Sequence, residues 1–421
     1  MRTMYLELDP DLTPDQCEIR IATHGFAAGV LRPAATRLDR MAPDQVAAAG
    51  SPLWDVFRSW YELGNHTAGL AAGHGGSGLD GLTRHLVLEE LGWGSAGLAA
   101  GLGVAALPFE FTATVADMTG NHRLLDEVVA PFVADREARY VGCWAITEPS
   151  HGSDTLDVST DAFTRARAAG SCLAVADGDE WVITGEKAAW VSNGTIATHA
   201  LLFCTVAPPT EPAGGGVAMV PLDRPGIERG PALDKLGQRD LNQGGIRFDG
   251  ARIPADYLLV GPDLYPLVLA SVLSLANAGM GAIFTGLARA AMEEALAYAK
   301  VRTQGGRPIA EHQLVQGKLF AMFAAVEQAR ALSRAALVHN SRAFPPDLAY
   351  SIASKVTCTQ SAFQVANEAV QVLGGIGLSR ELPLEKYVRD ARASLIEDGV
   401  NEFLGLQAAR SILEQYPLDA P

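Results

Sequence analysis

The sequence predicts an α+β multidomain fold: an N-terminal helical domain, a middle β-barrel or β-sandwich domain and a C-terminal four-helix bundle. A chain of 421 residues is too long for a single hydrophobic core. Its composition, 48% hydrophobic and 19% charged, leaves ample apolar surface to bury. The hydrophobic spacing changes from helical to strand-like near residue 140 and returns to helical near residue 264. We therefore predict domains at 1–139, 140–260 and 261–421.

The first domain is predicted to be helical because apolar residues recur at three- and four-residue spacing, for example over Leu82–Leu91 and Asn121–Asp135. A glycine-rich run at Gly73–Gly78 lies between such segments. No Gly-Lys-Ser/Thr follows it and no strand clearly precedes it, so we predict a turn rather than a phosphate-binding loop.

The middle domain is predicted to be all-β, because short β-prone runs alternate with turn residues. Loops are expected at Pro208–Pro209 and Gly214–Gly216. The predicted strands are Tyr140–Ile146, Cys172–Val175, Glu180–Thr184, His199–Val206, Gly216–Pro221 and Gly245–Phe248.

The last domain is predicted to contain four long amphipathic helices joined by short breaks, an arrangement that is typical of a helix bundle. The breaks contain Gly305–Gly306, Pro345–Pro346 and Gly374–Gly377. The predicted helices are Pro266–Arg302, Glu311–Arg342, Asp347–Leu373 and Pro383–Gln415.

The overall charge and composition exclude several functions. A net charge of −15 argues against general nucleic-acid binding. We also expect no membrane span, since no stretch contains about 18 uninterrupted apolar residues. Five cysteines without C-x-x-C spacing, and no signal-peptide pattern, favour a cytoplasmic location. The nine histidines show no H-E-x-x-H or similar ligand spacing, so no metal site is predicted, and no G-x-S-x-G motif predicts a nucleophilic triad.

Four segments carry candidate chemistry. A-I-T-E-P-S-H-G-S-D (145–154) follows a predicted strand, and its backbone N–H groups and hydroxyls could hold a polar ring edge or a phosphate. G-E-K-A-A-W-V-S-N-G spans 185–194. In the bundle, Y-A-K-V-R-T-Q-G-G-R-P-I spans 298–309, ahead of Gln313, and Q-V-L-G-G-I-G spans 371–377.

Together these segments resemble the acyl-CoA dehydrogenase family, whose patterns are T-E-P-x-x-G-S-D, G-x-K-x-x-W-I-[TS]-N-[GA], R-x-x-F-G-x-x-(I/L)-x-x-x-Q and Q-x-x-G-G-x-G. Their order and spacing agree over about residues 75–415. The resemblance implies FAD as cofactor, a homo-oligomer (dimer or tetramer) and an electron-transferring flavoprotein as electron acceptor. It also implies a thioester substrate carried by coenzyme A or by an acyl carrier protein.

The resemblance further implies which residues contact FAD. Arg302 is expected to pair with the pyrophosphate of an FAD bound mainly by a neighbouring subunit, and Gly305 replaces a usual Phe. The positions implied are Ile146, Thr147, Ser153, Trp190, Ser192, Arg302, Gln313, Gln371, Gly374, Gly375, Val400 and Glu402. Val400 and Glu402 replace the usual Thr and Gln.

The expected catalytic base lies in the segment L-I-E-D-G-V-N-E (395–402), where most members of the family have I-Y-E-G-T. Alignment on Gly399 places Asp398 at the catalytic position and Glu397 at the usual Tyr. Aspartate is shorter by one methylene, and an error of about 1 Å can reduce a rate about a hundredfold. Asp398 is the predicted base, and Glu397 or an altered reaction are the alternatives. The resemblance places Ser153, Asn277 and Gly399 beside the substrate.

The function predicted from this resemblance is α,β-dehydrogenation of an acyl thioester, with the carboxylate removing the α-proton and flavin N5 accepting the β-hydride. Two alternatives keep the same fold. One is an acyl-CoA oxidase or a flavin monooxygenase, in which the reduced enzyme reacts rapidly with oxygen. The other is a non-catalytic flavoprotein that binds acyl thioesters.

Overall fold

The computed structural model describes residues 8–9, 11–157, 170–207 and 213–415. The predicted loop at Pro208–Pro209 lies outside these ranges. The first part of the chain is helical, as predicted, with π-helical turns at Ala27–Leu31 and Leu125–Val129. Its α-helices are α1 (Pro14–Phe26), α2 (Arg32–Leu38), α3 (Pro43–Ala47), α4 (Pro52–Glu62), α5 (Gly81–Gly94), α6 (Ala96–Thr119), α7 (His122–Leu124) and α8 (Ala130–Ala134).

An eight-stranded sheet follows within the described residues, in the order β6-β7-β3-β2-β4-β5-β8, and β1 pairs with β4. The β1–β4 and β2–β4 pairs are parallel, while β3–β7 and β4–β5 are antiparallel. The strands are β1 (Gly142–Ala145), β2 (Leu173–Asp177), β3 (Glu180–Lys187), β4 (His199–Ala207), β5 (Gly214–Pro221), β6 (Ile227–Ala232), β7 (Gly244–Pro254) and β8 (Leu258–Val260).

Two strands of this sheet were missed by the sequence prediction, and both are terminal in the strand order. β6 contains Gly230 and Pro231 and is largely exposed, so it lacks the alternation of a half-buried strand. Proline is tolerated there because an edge strand need not donate on both sides. β8 has only three residues. The predicted loop at Gly214–Gly216 forms part of β5 instead, where Gly216 pairs with Cys204 of β4.

The C-terminal part contains long helices, as predicted, with one correction. The predicted helix Pro383–Gln415 is two helices, because 395–400 forms a turn between them. A short hairpin, β9 (Thr303–Gln304) and β10 (Arg307–Pro308), follows the first helix. The helices are α9 (Tyr265–Val301), α10 (Gln313–Asn340), α11 (Leu348–Leu373), α12 (Leu384–Ser394) and α13 (Asn401–Gln415).

The first helical region packs directly on the bundle through α5 and α9. A Cβ at Gly92 would lie 2.0 Å from the Ile283 carbonyl oxygen, so only glycine allows this approach of the two backbones. Arg289 of α9 is fully buried and donates to Glu89 of α5 at 2.9 Å, and Glu89 also accepts from Arg330 of α10 at 3.0 Å. Buried charges persist only when paired in this way. The pairing therefore joins α5 to two helices of the bundle, α9 and α10.

Among the residues that the structure describes, two helices, α6 and α9, are long and apolar enough by length and composition to cross a membrane. The sequence expectation overlooked α9, because Ser, Asn and Thr interrupt its apolar run without adding charge. The most apolar windows of α6 and α9 are 56% and 61% buried inside the protein, as is common for core helices. Length and composition are thus weak evidence for a span here.

Candidate active site

The loop that follows β1 is held by a buried ion pair. Glu148 is 3% exposed and accepts from Lys187 Nζ at 2.7 Å and from the Cys172 backbone N–H at 3.0 Å. Lys187, at the end of β3, also donates to the Ile146 carbonyl oxygen at 3.0 Å. Burial acts to raise the pKa of Glu148, but Lys187 and the other donors outweigh it, so the pKa lies below its usual range. This pair positions the predicted cofactor residues Ile146 and Thr147.

The second motif lies beside the first. The Ala188 N–H donates to the Thr147 carbonyl oxygen at 2.9 Å. Asn193 has φ +62° and is buried, and its Nδ2 donates to the carbonyl oxygens of Gly101 at 2.9 Å and Gly142 at 3.2 Å. Asn193 therefore anchors the turn to both α6 and β1.

The side chains at the tip of this turn are available to a ligand. Trp190 is 56% exposed, which is unusual for a tryptophan in a sheet domain. Gln243 Nε2 donates to the Trp190 carbonyl oxygen at 3.1 Å and to Ser192 Oγ at 3.3 Å. An exposed aromatic face thus lies next to an oriented hydroxyl.

The turn between α12 and α13 carries the two candidate bases. Asp398 and Gly399 have φ values of +50° and +98°, in the left-handed region that breaks a helix. Ser153 Oγ accepts from the Val400 N–H at 3.1 Å, which ties this turn to the first motif. We call the segments 146–154, 187–193 and 395–400 the loop cluster. It contains Ile146, Thr147, Ser153, Trp190, Ser192, Glu397, Asp398, Gly399 and Val400.

The two carboxylates of this turn have different surroundings. Glu397 Oε2 accepts from Gln238 Nε2 at 2.7 Å, in the segment between β6 and β7. Within the described residues, the Asp398 carboxylate receives no hydrogen bond. Burial raises the pKa of Asp398, and Lys355 limits the rise. Burial also raises the pKa of Glu397 to about 7, against the opposing influence of Gln238 and Lys235.

Asn277, a predicted substrate residue, is fully buried in α9. Its Nδ2 donates to the Leu273 carbonyl oxygen at 2.8 Å and to the Asp398 carbonyl oxygen at 3.5 Å. It therefore contacts the backbone of the turn 395–400, which we call the base turn because it carries Glu397 and Asp398. Glu402 is exposed on the first turn of α13. The substrate role of Asn277 and the cofactor role of Glu402 stay predictions.

The remaining predicted cofactor residues meet elsewhere. An open groove of about 1120 Å³ is lined by residues from both bundle motifs. We call it the terminal groove. The five predicted residues that line it are Arg302, Gln313, Gln371, Gly374 and Gly375.

The terminal groove is far from the loop cluster of the same chain. Arg302 caps α9, whereas Asn277 of the same helix contacts Asp398. Twenty-five residues of helix correspond to roughly 37 Å at 1.5 Å per residue. The terminal groove and the turn that carries Asp398 thus lie at well-separated points along α9.

Several residues that organise the site were not predicted as site residues. Three of them, Glu148, Lys187 and Asn193, lie within the family motifs, but the sequence does not indicate which groups they contact. Gln243 and Lys355 lie outside every motif and carried no local signal.

Comparison with known proteins gives the family. Residues 13–116, 143–251 and 267–413 match the N-terminal, middle and C-terminal domains of acyl-CoA dehydrogenases. The mitochondrial short-chain specific acyl-CoA dehydrogenase of Bos taurus is 32% identical over 81% of this chain and 78% of its own length. The butyryl-CoA dehydrogenase of Megasphaera elsdenii superposes with a TM-score of 0.82 at 25% identity, over 96% of this chain and all of that one. The chain belongs to the acyl-CoA dehydrogenase family.

Two further solved structures share the fold at 22% identity. They are a glutaryl-CoA dehydrogenase of Mycobacterium smegmatis in complex with FADH2, with a TM-score of 0.81 over 98% of both chains, and the prolyl acyl carrier protein oxidase AnaB, with a TM-score of 0.79 over 95% of this chain and 99% of that one. The three-domain fold predicted from the sequence is confirmed.

The family consists of FAD flavoproteins, and the protein is an oxidoreductase of this kind. The side chains present fit the cofactor. The exposed Trp190 ring and the Ser192 hydroxyl suit a flat heteroaromatic ring. Arg302 and Arg307 line the terminal groove with guanidinium donors that suit a pyrophosphate. Which atoms each residue contacts stays a prediction.

Proposed function

We propose that the protein dehydrogenates an acyl thioester between its α- and β-carbons, with Asp398 as the base. The observation that carries the proposal is the Asp398 carboxylate, which accepts no hydrogen bond from the described residues and stands in a positive-φ turn joined to the predicted flavin-binding motif through Ser153 and Val400. The FAD, when bound, accepts the hydride from the β-carbon.

The surroundings of Asp398 suit removal of an α-proton. A carboxylate withdrawn from water has a higher proton affinity, which makes it a stronger base once it is ionised. Burial raises the pKa of Asp398 in this sense. Glu397 is the weaker candidate, because its carboxylate already accepts a hydrogen bond from Gln238.

The proposal includes a homo-oligomer that completes the cofactor site. Roughly 37 Å of helix separates the terminal groove from the loop cluster of the same chain. Apolar side chains are also exposed on α10, where Leu314, Phe320 and Phe323 are 85%, 71% and 46% accessible. Exposed apolar patches of this kind commonly mark protein interfaces. Each groove is proposed to hold the phosphates of FAD bound at a neighbouring subunit's loop cluster.

The substrate is proposed to be carried by coenzyme A or an acyl carrier protein, and the electron acceptor to be an electron-transferring flavoprotein. These assignments rest on the family and on the butyryl-CoA and glutaryl-CoA dehydrogenases that share the fold.

The test is anaerobic titration of the yellow protein with a panel of acyl-CoA and acyl-pantetheine thioesters. Wild type should bleach with at least one of them. Asp398→Asn should slow bleaching about 10²- to 10⁴-fold, the usual contribution of a general base. Glu397→Gln, the matched control, should stay within about tenfold of wild type.

The other outcomes separate the alternatives. If no thioester bleaches wild type, the protein is a binding flavoprotein and the proposal fails. If Asp398→Asn bleaches as fast as wild type, the base assignment fails. Rapid reoxidation of the reduced protein by air would indicate an oxidase.

A further inference from the structure

A buried lysine contacts the base turn and lies outside all of the family motifs. Lys355 of α11 is fully buried. Its Nζ donates to the Gly399 carbonyl oxygen at 2.7 Å and to Asn401 Oδ1 at 2.6 Å. Asn401 is itself fixed, because its Nδ2 donates to Thr359 Oγ1 of α11 at 3.0 Å. The ammonium group therefore binds the last residues of the turn and the first residue of α13.

The preceding carbonyl oxygen, that of Asp398, is also held by a buried donor, Asn277 Nδ2 at 3.5 Å. Consecutive carbonyls of the two positive-φ residues thus face donors from two different helices, α11 and α9. Such a backbone conformation is unfavourable for aspartate and persists only where its surroundings hold it. The direction of the Asp398 side chain depends on this support.

The charge of Lys355 matters as well as its hydrogen bonds. Both of its hydrogen-bond acceptors are neutral, and the charged groups that face it are the carboxylates of Asp398, Glu397 and Glu402. Glu397 in turn faces Lys235. A cation among these acids favours their ionised forms.

We propose that Lys355 is the positioning residue of the base: it holds the 395–400 turn through the Gly399 carbonyl and keeps Asp398 ionised by its charge. This inference rests on the proposed function. Burial lowers the pKa of Lys355 to about 8, although the three carboxylates act to raise it. The cation is therefore present at neutral pH and is lost as the pH rises through about 8.

The test compares wild type with Lys355→Met, which keeps the side-chain length, and with Lys355→Gln, which keeps a donor without charge and serves if the methionine variant does not fold. Cys358→Ala, one turn further along the same buried face of α11, is the control for packing damage. Flavin reduction by a thioester is followed from about pH 6 to 9.5, and hydrogen exchange of the 395–404 peptide is measured by mass spectrometry.

Without the cation, the apparent pKa of flavin reduction should move upward. The rate at pH 7 should fall about ten- to a hundredfold and recover in part at higher pH. Exchange in 395–404 should accelerate in Lys355→Met and less in Lys355→Gln, whereas Cys358→Ala should match wild type in both measurements. A loss of rate that is uniform across the pH range, or unchanged exchange in 395–404, overturns the proposal.

The exchange measurement needs no substrate, so the two proposals fail separately. If no thioester reduces wild type, the proposed function fails, and exchange still shows whether Lys355 holds the turn. If wild type is reduced and both Lys355 variants match it in rate and pH profile, only the positioning role fails.

Discussion

The loop cluster and the terminal groove are built in contrasting ways. In the loop cluster the supporting contacts are made within the chain: the buried Glu148 accepts a hydrogen bond from the buried Lys187, and the Val400 backbone N–H donates to Ser153 Oγ. In the terminal groove, Arg302, Gln313 and Gln371 are exposed around an open volume.

The contrast shows which part of the site one chain can organise by itself. Folding of a single chain can fix the geometry of the proposed base and of the predicted ring-binding turn, because their supporting contacts are internal. The groove offers cations and amides to a ligand, and roughly 37 Å of helix lies between it and the base of the same chain, so the proposed function assigns its ligand to a neighbouring subunit. Substitutions in the two regions should therefore differ in kind: stability and rate in the first, cofactor retention in the second.

The largest effect is expected from Lys187→Met, which leaves Glu148 charged and buried. Removing one partner of a buried pair costs about 3–5 kcal/mol of unfolding free energy. Because the pair lowers the pKa of Glu148, its stabilisation is present above the unfolded pKa and is lost as the pH falls through the folded one. The difference from wild type in urea unfolding should therefore narrow in acid.

Arg252→Met is the matched control, since Arg252 pairs with Asp177 on an exposed part of the sheet. It should lower the free energy of unfolding far less than Lys187→Met does, because water screens an exposed pair. Equal losses for the two variants would contradict the internal support assigned to the loop cluster.

Gly399→Ala should affect the rate more than the stability. The new Cβ would lie 2.7 Å from Leu404 Cδ2, at φ +98°. The strain costs about 1–3 kcal/mol, and displacement of Asp398 by about 1 Å should slow flavin reduction about a hundredfold. Thermal unfolding and anaerobic stopped-flow reduction measure the two effects.

The control for this variant lies on the next helix. Gly405 of α13 has open space where a methyl group would stand, so Gly405→Ala should stabilise the protein by up to about 1 kcal/mol and leave the rate unchanged. A rate for Gly399→Ala equal to that of the control would show that the turn tolerates displacement.

Arg302→Gln tests the other region. Loss of a charge-assisted hydrogen bond to phosphate, about 1.5–3 kcal/mol, should weaken FAD binding about ten- to a hundredfold. The unfolding of the apoprotein should not change, because the side chain is exposed. FAD retained after dilution and gel filtration measures the effect, with Arg252→Gln as control.

A mixing experiment sharpens this prediction. Refolding Arg302→Gln together with Asp398→Asn should partly restore activity, since a mixed oligomer pairs an intact loop cluster with an intact groove from the other chain. If the mixture is no more active than its parts, the groove serves its own chain and the proposed sharing of FAD is wrong.

The features of the fold and of the site that the sequence predicts are those that depend on contacts between residues close together along the chain. Helical periodicity placed α11 within one residue of its observed start, because that signal is local. The same apolar periodicity continues through 395–400, so the sequence predicted one helix where the structure has a turn between two. The Asp398–Gly399 dipeptide, which favours turns, was the one local indication of this break. Lys355 could not be predicted, because Gly399 is forty-four positions away along the chain and only folding brings them together.

The smallest effect concerns Glu397, the carboxylate that is not the proposed base. Burial raises its pKa to about 7, so the folded protein binds more protons than the unfolded chain between about pH 4.5 and 7. Stability should therefore fall as the pH rises through this window.

Gln238→Met removes a donor that favours the charged form, and it should raise the pKa of Glu397 further, by about one pH unit. The melting temperature is measured as a function of pH. In Gln238→Met its decline should occur at higher pH than in wild type, and in Glu397→Gln the melting temperature should change little over this range. A Gln238→Met profile that superposes on wild type would show that this hydrogen bond does not control the ionisation of Glu397.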